Sequence, residues 1–205
     1  ITNHWVRSGC IHGVMPSHGL LYATPHSCAC YMQAKLYGFC SLAAESDSRQ
    51  VSSEVPAADR LERGPAYEQP VAFSQTESSP SDWSTYRGDR TRSGATSSQV
   101  NADLAPAWQI ELGGKLSSPV VAEGKLFLAS IDTHTVHAID TSSGETDWSF
   151  TAGGRVDSPP TYHRGTVLFG SADGYVYCLR AEDGELAWRF LGAPRDRRTV
   201  AMGRV

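Results

Sequence analysis

Four of the five cysteines of this 205-residue chain fall within its first forty positions, at Cys10, Cys28, Cys30 and Cys40, with His12 and His26 nearby. Thiolates and imidazoles gathered this closely suit either a metal centre or a disulfide. If residues 25–31 are extended, the two-residue period of a strand places His26, Cys28 and Cys30 on one face, the beginning of a metal site. The spacing lacks the paired Cys-x-x-Cys knuckles of a zinc ribbon and the Cys-x-x-Cys-His of covalent haem attachment. A disulfide from Cys10 to Cys28 or Cys30 would instead pin this segment down, as suits an oxidising compartment. Unpaired thiols are the third reading, and the residue types alone leave all three open. Cys178 stands inside a strand pattern and reads as a small core residue.

A second set of candidates is charged. Arg155, Asp157 and the group Arg195, Arg197 and Arg198 fall on connections between strand patterns, where a rigid scaffold carries its binding residues. They are candidate ligand contacts or solvated loop charges. A hydrolase would need a nucleophile motif such as Gly-x-Ser-x-Gly, which is absent, and the seven histidines are scattered. The net charge of -4 supplies no basic field for nucleic acid. The longest apolar stretches, such as residues 20–24 and 166–170, fall far short of the roughly 20 residues that span a bilayer as a helix.

The elements that must position these residues come from a repeat. Trp108, Trp148 and Trp188 recur every 40 residues, and Gly113 with Gly153, Ser118 with Ser158, Pro119 with Pro159 and Gly144 with Gly184 keep the same step. Within each unit, residues 125–130 and 166–171 are apolar, partly β-branched runs. Residues 136–140 and 175–179 follow as their hairpin partners, the second through the turn-forming Asp173-Gly174. The Trp-ending stretches 145–150 and 185–190 give a third strand, and the region 116–122 a fourth. A 40-residue unit of four short antiparallel strands is a β-propeller blade, because a small twisted sheet must stack on its neighbours to bury its faces. The expected fold is therefore all-β, with an incomplete ring, since these units cannot close one of four to eight blades. That reading treats the chain as part of a longer polypeptide.

The stretch from Ala138 through Asp140, Thr141 and Gly144 to Trp148 resembles the tryptophan-docking repeat of pyrroloquinoline-quinone (PQQ) propellers. In that family the Trp packs against the Gly-containing turn of an adjoining blade, so the resemblance implies docking roles for Gly144, Trp148, Gly184 and Trp188. The second copy departs from the pattern, with Cys178, Arg180 and Asp183 replacing Ala, Asp and Thr. A lead-in motif, Trp83 to Asp89 followed by Arg92-Ser93-Gly94, resembles the segment before the first blade in bacterial members. WD40 repeats share the period, but the order here is Asp147-Trp148 and the Gly-His start is missing.

Three regions follow from these patterns: a diverged blade with a Cys/His-containing insertion over 1–43, a polar linker or long loop over 44–81, and the start of a propeller over 82–205. The linker is poor in apolar residues, with one or two helical turns expected over residues 57–63 between Pro56 and Gly64. The resemblance implies a non-catalytic binding or assembly scaffold that is periplasmic, of the cell envelope or secreted, with protein or envelope partners. The enzymatic alternative is a quinoprotein oxidoreductase, using PQQ and Ca²⁺, whose active residues lie outside this stretch. A metal-binding or electron-transfer protein using Cys10, His26, Cys28 and Cys30 is the third class.

Overall fold

The computed structural model describes residues 13–24, 40–44, 53–68, 79 and 81–195. Cys10, His26, Cys28, Cys30, Arg197 and Arg198 lie outside the described residues. The described residues fall into two compact units, divided after Ser53. The first unit contains a three-stranded antiparallel sheet, β1 (Val14–Ser17), β2 (Leu20–Ala23) and β3 (Cys40–Ala43), in that order.

The second unit carries two blades. β5 (Val120–Ala122), β6 (Lys125–Ser130), β7 (Thr135–Asp140) and β8 (Thr146–Thr151) form one four-stranded antiparallel meander. β9 (Thr161–His163), β10 (Thr166–Gly170), β11 (Tyr175–Arg180) and β12 (Leu186–Leu191) form the next. In each, the third strand pairs with the fourth through a one-residue register shift at the same place, after Ala138 in the first blade and after Cys178 in the second. The repeat therefore extends to its irregularities.

Face-to-face stacking of these sheets makes the core. Phe127, Val136, Ala138 and Trp148 from the first blade pack with Tyr162, Val167, Phe169, Tyr177 and Leu179 from the second. The rings of Phe127 and Tyr162 stack at 6.1 Å, and those of Phe169 and Tyr177 at 5.2 Å. Large aromatic surfaces removed from water dominate such a core, and their ring contacts add specific geometry. The lead-in motif ties the inner strands together. Trp83 exchanges backbone hydrogen bonds with Val121 at 2.8 and 2.9 Å, and the next carbonyl, of Ser84, accepts the Tyr162 amide at 2.8 Å.

The polar linker region holds a structural difference from the sequence reading. Residues 57–63 are not a continuous helix: a single 3-10 turn, Ala57–Asp59, leads into β4, Leu61–Arg63, which pairs antiparallel with β12 as a fifth strand. The open edge of β12 offers backbone partners that local helix propensity cannot match over so short a stretch.

Candidate functional site

The repeated chemistry lies in the turns that close each blade. Gly144 and Gly184 both adopt φ of +75°, a left-handed conformation that a side chain would strain. Each glycine lies beneath an indole. A β-carbon at Gly144 would sit 2.7 Å from Cδ2 of Trp108, and one at Gly184 would sit 2.6 Å from Cδ2 of Trp148. The indole then donates into the same turn: Trp108 Nε1 to the Thr141 carbonyl at 2.8 Å, and Trp148 Nε1 to the Ala181 carbonyl at 3.0 Å. Trp148 is buried to 8% exposure and meets the Phe127 ring at 5.9 Å. Trp108, which the 40-residue spacing marks, is the ring that occupies the Gly144 turn. Trp188 is half-buried against a cluster of Ala66, Cys178 and Ala187 that also takes in Leu168.

Arg155 and Asp157 meet at the end of the blades where the β6–β7 hairpin and the connection to β9 lie together. The Arg155 guanidinium bonds Asp132 and donates to Asp157 at 2.8 Å. These carboxylates, Asp157 foremost, raise the guanidinium pKa. The Arg155 side chain is 13% exposed, while Asp132 and Asp157 are 57% and 60% exposed, so the cluster presents its carboxylates to solvent. Arg155 Nε is buried and makes no hydrogen bond. Arg195 reaches Glu54 at 3.4 Å. Sequence spacing gives no sign of the Asp132–Arg155 pair, because the partners stand 23 positions apart, one on the β6–β7 hairpin and one on the connection to β9.

A pocket of about 390 Å³ lies beside the inner strand β5, lined by Trp83, Tyr86, Arg87, Ser118, Pro119 and Val121. Tyr162, whose ring stacks on Phe127, has its phenol pushed up to about 12, first by burial and then by a hydrogen bond to Glu123. Burial also pushes the Cys178 thiol up, which keeps it protonated and unreactive. Cys40 lies on β3, in the first unit.

A quinone with its calcium ion asks for open cations facing its carboxylates and several oxygen donors around the metal. Arg155 is committed to two carboxylates, and no three His, Cys, Asp or Glu side chains among the described residues gather as a cation site. Neither Arg155 nor any such cluster among the described residues offers those contacts.

The family model described as outer membrane protein assembly factor BamB matches residues 88–203, more than half of the chain. The dehydrogenase subunit of alcohol dehydrogenase (quinone) from Gluconobacter oxydans is 25% identical over 157 residues, which cover 62% of this chain and 21% of that protein. The DNA damage-responsive serine/threonine-protein kinase RqkA from Deinococcus radiodurans is 28% identical over 107 residues, 51% of this chain and 16% of that protein. Among solved structures, quinohemoprotein alcohol dehydrogenase from Comamonas testosteroni aligns with a TM-score of 0.49 and 24% identity over 62% of this chain and 22% of that one. The chain thus spans about a fifth of the length of the curated relatives it matches. Proteins named for unrelated activities share the likeness, so it does not by itself select one.

Proposed function

We propose that this chain, which belongs to the outer membrane protein assembly factor BamB family of PQQ-type propeller repeats, is a non-catalytic binding and assembly module of the cell envelope. The observation that carries this reading is the Asp132–Arg155–Asp157 cluster. A cation meant for a carboxylated cofactor is kept open, whereas the charge of this one is already paired by two carboxylates that face solvent. Such a charged, solvent-facing rim suits a protein partner, as interface rims do.

In this reading Arg155, Asp157, Arg195, Arg197 and Arg198 belong to the partner-facing loops. Gly144, Gly184 and Trp148 are docking residues that hold blades in register, while Trp188 packs against Ala66, Cys178 and Ala187. The envelope location rests on the outer-membrane description of the family. No helix among the described residues is long and apolar enough to cross a membrane.

The likeness to the quinone-dependent alcohol dehydrogenase subunit favours a second reading, in which the chain is one part of a PQQ- and Ca²⁺-dependent oxidoreductase. Its cofactor contacts would then come from residues beyond those described. Titrating the protein, in its natural full length, with PQQ and Ca²⁺ separates the two. Absorbance and dye-linked alcohol oxidation are followed together. The expected result is neither saturable binding nor turnover; stoichiometric binding with turnover would replace the assembly reading with the enzymatic one.

A further inference from the structure

Residues 54–68 belong to neither blade, yet they are fastened along the outer edge of the second. β4 pairs Leu61, Glu62 and Arg63 with Phe190, Arg189 and Trp188. Beyond the strand, the Gly64 amide donates to the Ala187 carbonyl at 2.8 Å and the Ala66 amide to the Leu186 carbonyl at 3.0 Å. The Leu191 amide donates to the Arg60 carbonyl at 2.9 Å. Gly64 lies so close to the Leu186 carbonyl that a β-carbon there would overlap it.

Ala66 is buried against Cys178 and Ala187, and polar side-chain recognition is concentrated on Glu62. The Glu62 carboxylate accepts the Tyr175 hydroxyl at 2.8 Å and Arg189 Nε and Nη2 at 2.8 and 2.5 Å. The Arg189 guanidinium itself lies 4.5 Å above the Tyr175 ring, which orients it. The repeat does not account for this clamp. By strand register, Tyr175 and Arg189 stand where the first blade has Thr135 and Ser149, neither of which can hold a carboxylate in this way.

All three residues of β4 are exposed, so little buried apolar surface retains them. Main-chain pairing with one charge-assisted anchor is the chemistry of strand addition, in which an extended segment joins an open sheet edge. We propose that the outer edge of β12 is a strand-addition site for a partner protein's extended segment that presents a glutamate to Arg189 and Tyr175. β4 is the occupant that the chain supplies when the partner is absent. This goes beyond the assembly reading and stands apart from it, because edge pairing needs neither a cofactor nor the loop end.

The test uses the full chain. Glu62→Arg sets two guanidinium groups against each other and releases β4. Amide hydrogen exchange at Gly64, Ala66 and Leu191 should then rise at least about tenfold, as loss of a charged hydrogen bond implies. Exchange in β6 and β7 stays unchanged and reports an intact first blade. A fluorescent peptide of residues 54–68 with the natural sequence should bind this variant saturably in anisotropy. It should bind the wild-type chain about tenfold or more weakly, because the tethered segment competes at high effective concentration. Adding Arg189→Glu to Glu62→Arg restores the internal strand by charge reversal and removes peptide binding. Glu62→Gln, which keeps the shape of the side chain, gives the same order of effects at smaller amplitude should the charge reversal disturb the first blade. Unchanged exchange at the three amides in both Glu62 variants overturns the clamp. Released amides without peptide binding overturn the strand-addition site.

Discussion

After β7, the Asp140 carboxylate accepts the amides of Ser142 and Ser143 at 2.8 and 2.9 Å, together with both hydroxyls. After β11, Arg180 stands in the same place and reaches forward instead, its Nε to Asp183 at 2.8 Å and its Nη2 to Glu185 at 2.6 Å. The charge is inverted and the direction of donation is reversed. The backbone is not. Gly144 and Gly184 donate to the carbonyls of Asp140 and Arg180, both at 2.9 Å, and those residues in turn donate to the carbonyls of Glu145 and Glu185, again both at 2.9 Å. What the repeat preserves is the path that carries a glycine beneath an indole, and either sign of side chain can tie it down.

Extending the comparison from the turns to the tryptophans gives the largest expected effect. Trp148 is seated on a neighbouring blade's turn, whereas Trp188 is half-buried against its own blade and Ala66. Trp148→Ala should cost about 3–5 kcal/mol in denaturant unfolding, as truncation of a packed aromatic does. Trp188→Ala should cost about 1–2 kcal/mol, in proportion to partial burial. Equal losses would mean that seating on the turn adds nothing to burial.

A smaller effect separates the blades by pH. His137 on β7 and Tyr177 on β11 hold the same register position, opposite Ser149 and Arg189. Burial lowers the His137 pKa, and it raises that of Tyr177 with help from Asp173. A histidine with a depressed folded pKa binds its proton more readily when the chain is unfolded. Its contribution is therefore intact above the unfolded value of about 6.5 and is lost as the pH falls from there toward the folded value. Tyrosine does not titrate in that range. Amide exchange in β6 and β7, corrected for its intrinsic pH dependence, should accelerate relative to β10 and β11 between pH 7 and pH 5. His137→Gln should remove the difference, and parallel profiles in the unaltered chain would count against it.

Much of this architecture is legible in the sequence because it is local and repeated. The short apolar run at residues 125–130, bounded by Glu123-Gly124 and followed by a second run at 136–140, reads as a hairpin, and the 40-residue step of tryptophan and glycine fixes the blade. β4 is not legible, since its three residues show no strand pattern and their partner lies more than a hundred positions away. The pairing of Arg155 with Asp132 escapes for a related reason: the two stand 23 positions apart, and only the folded hairpin and connection bring them together. The Gly144 turn shows what a spacing can and cannot convey. The period singles out Trp108, Trp148 and Trp188 equally, while which indole meets which turn depends on the order of blades in space.

The seating of Trp148 on Gly184 is tested most directly by combining substitutions at the two positions and measuring unfolding free energies. In the wild-type background, Gly184→Ala adds a β-carbon against the indole and strains a residue at φ +75°. The expected loss is about 2–4 kcal/mol from overpacking and left-handed strain together. In a Trp148→Ala background the indole is gone and only the backbone strain of about 1–2 kcal/mol should remain, leaving a coupling of about 1 kcal/mol or more. Additive losses would contradict the account, for they would mean that the ring and the turn do not support one another.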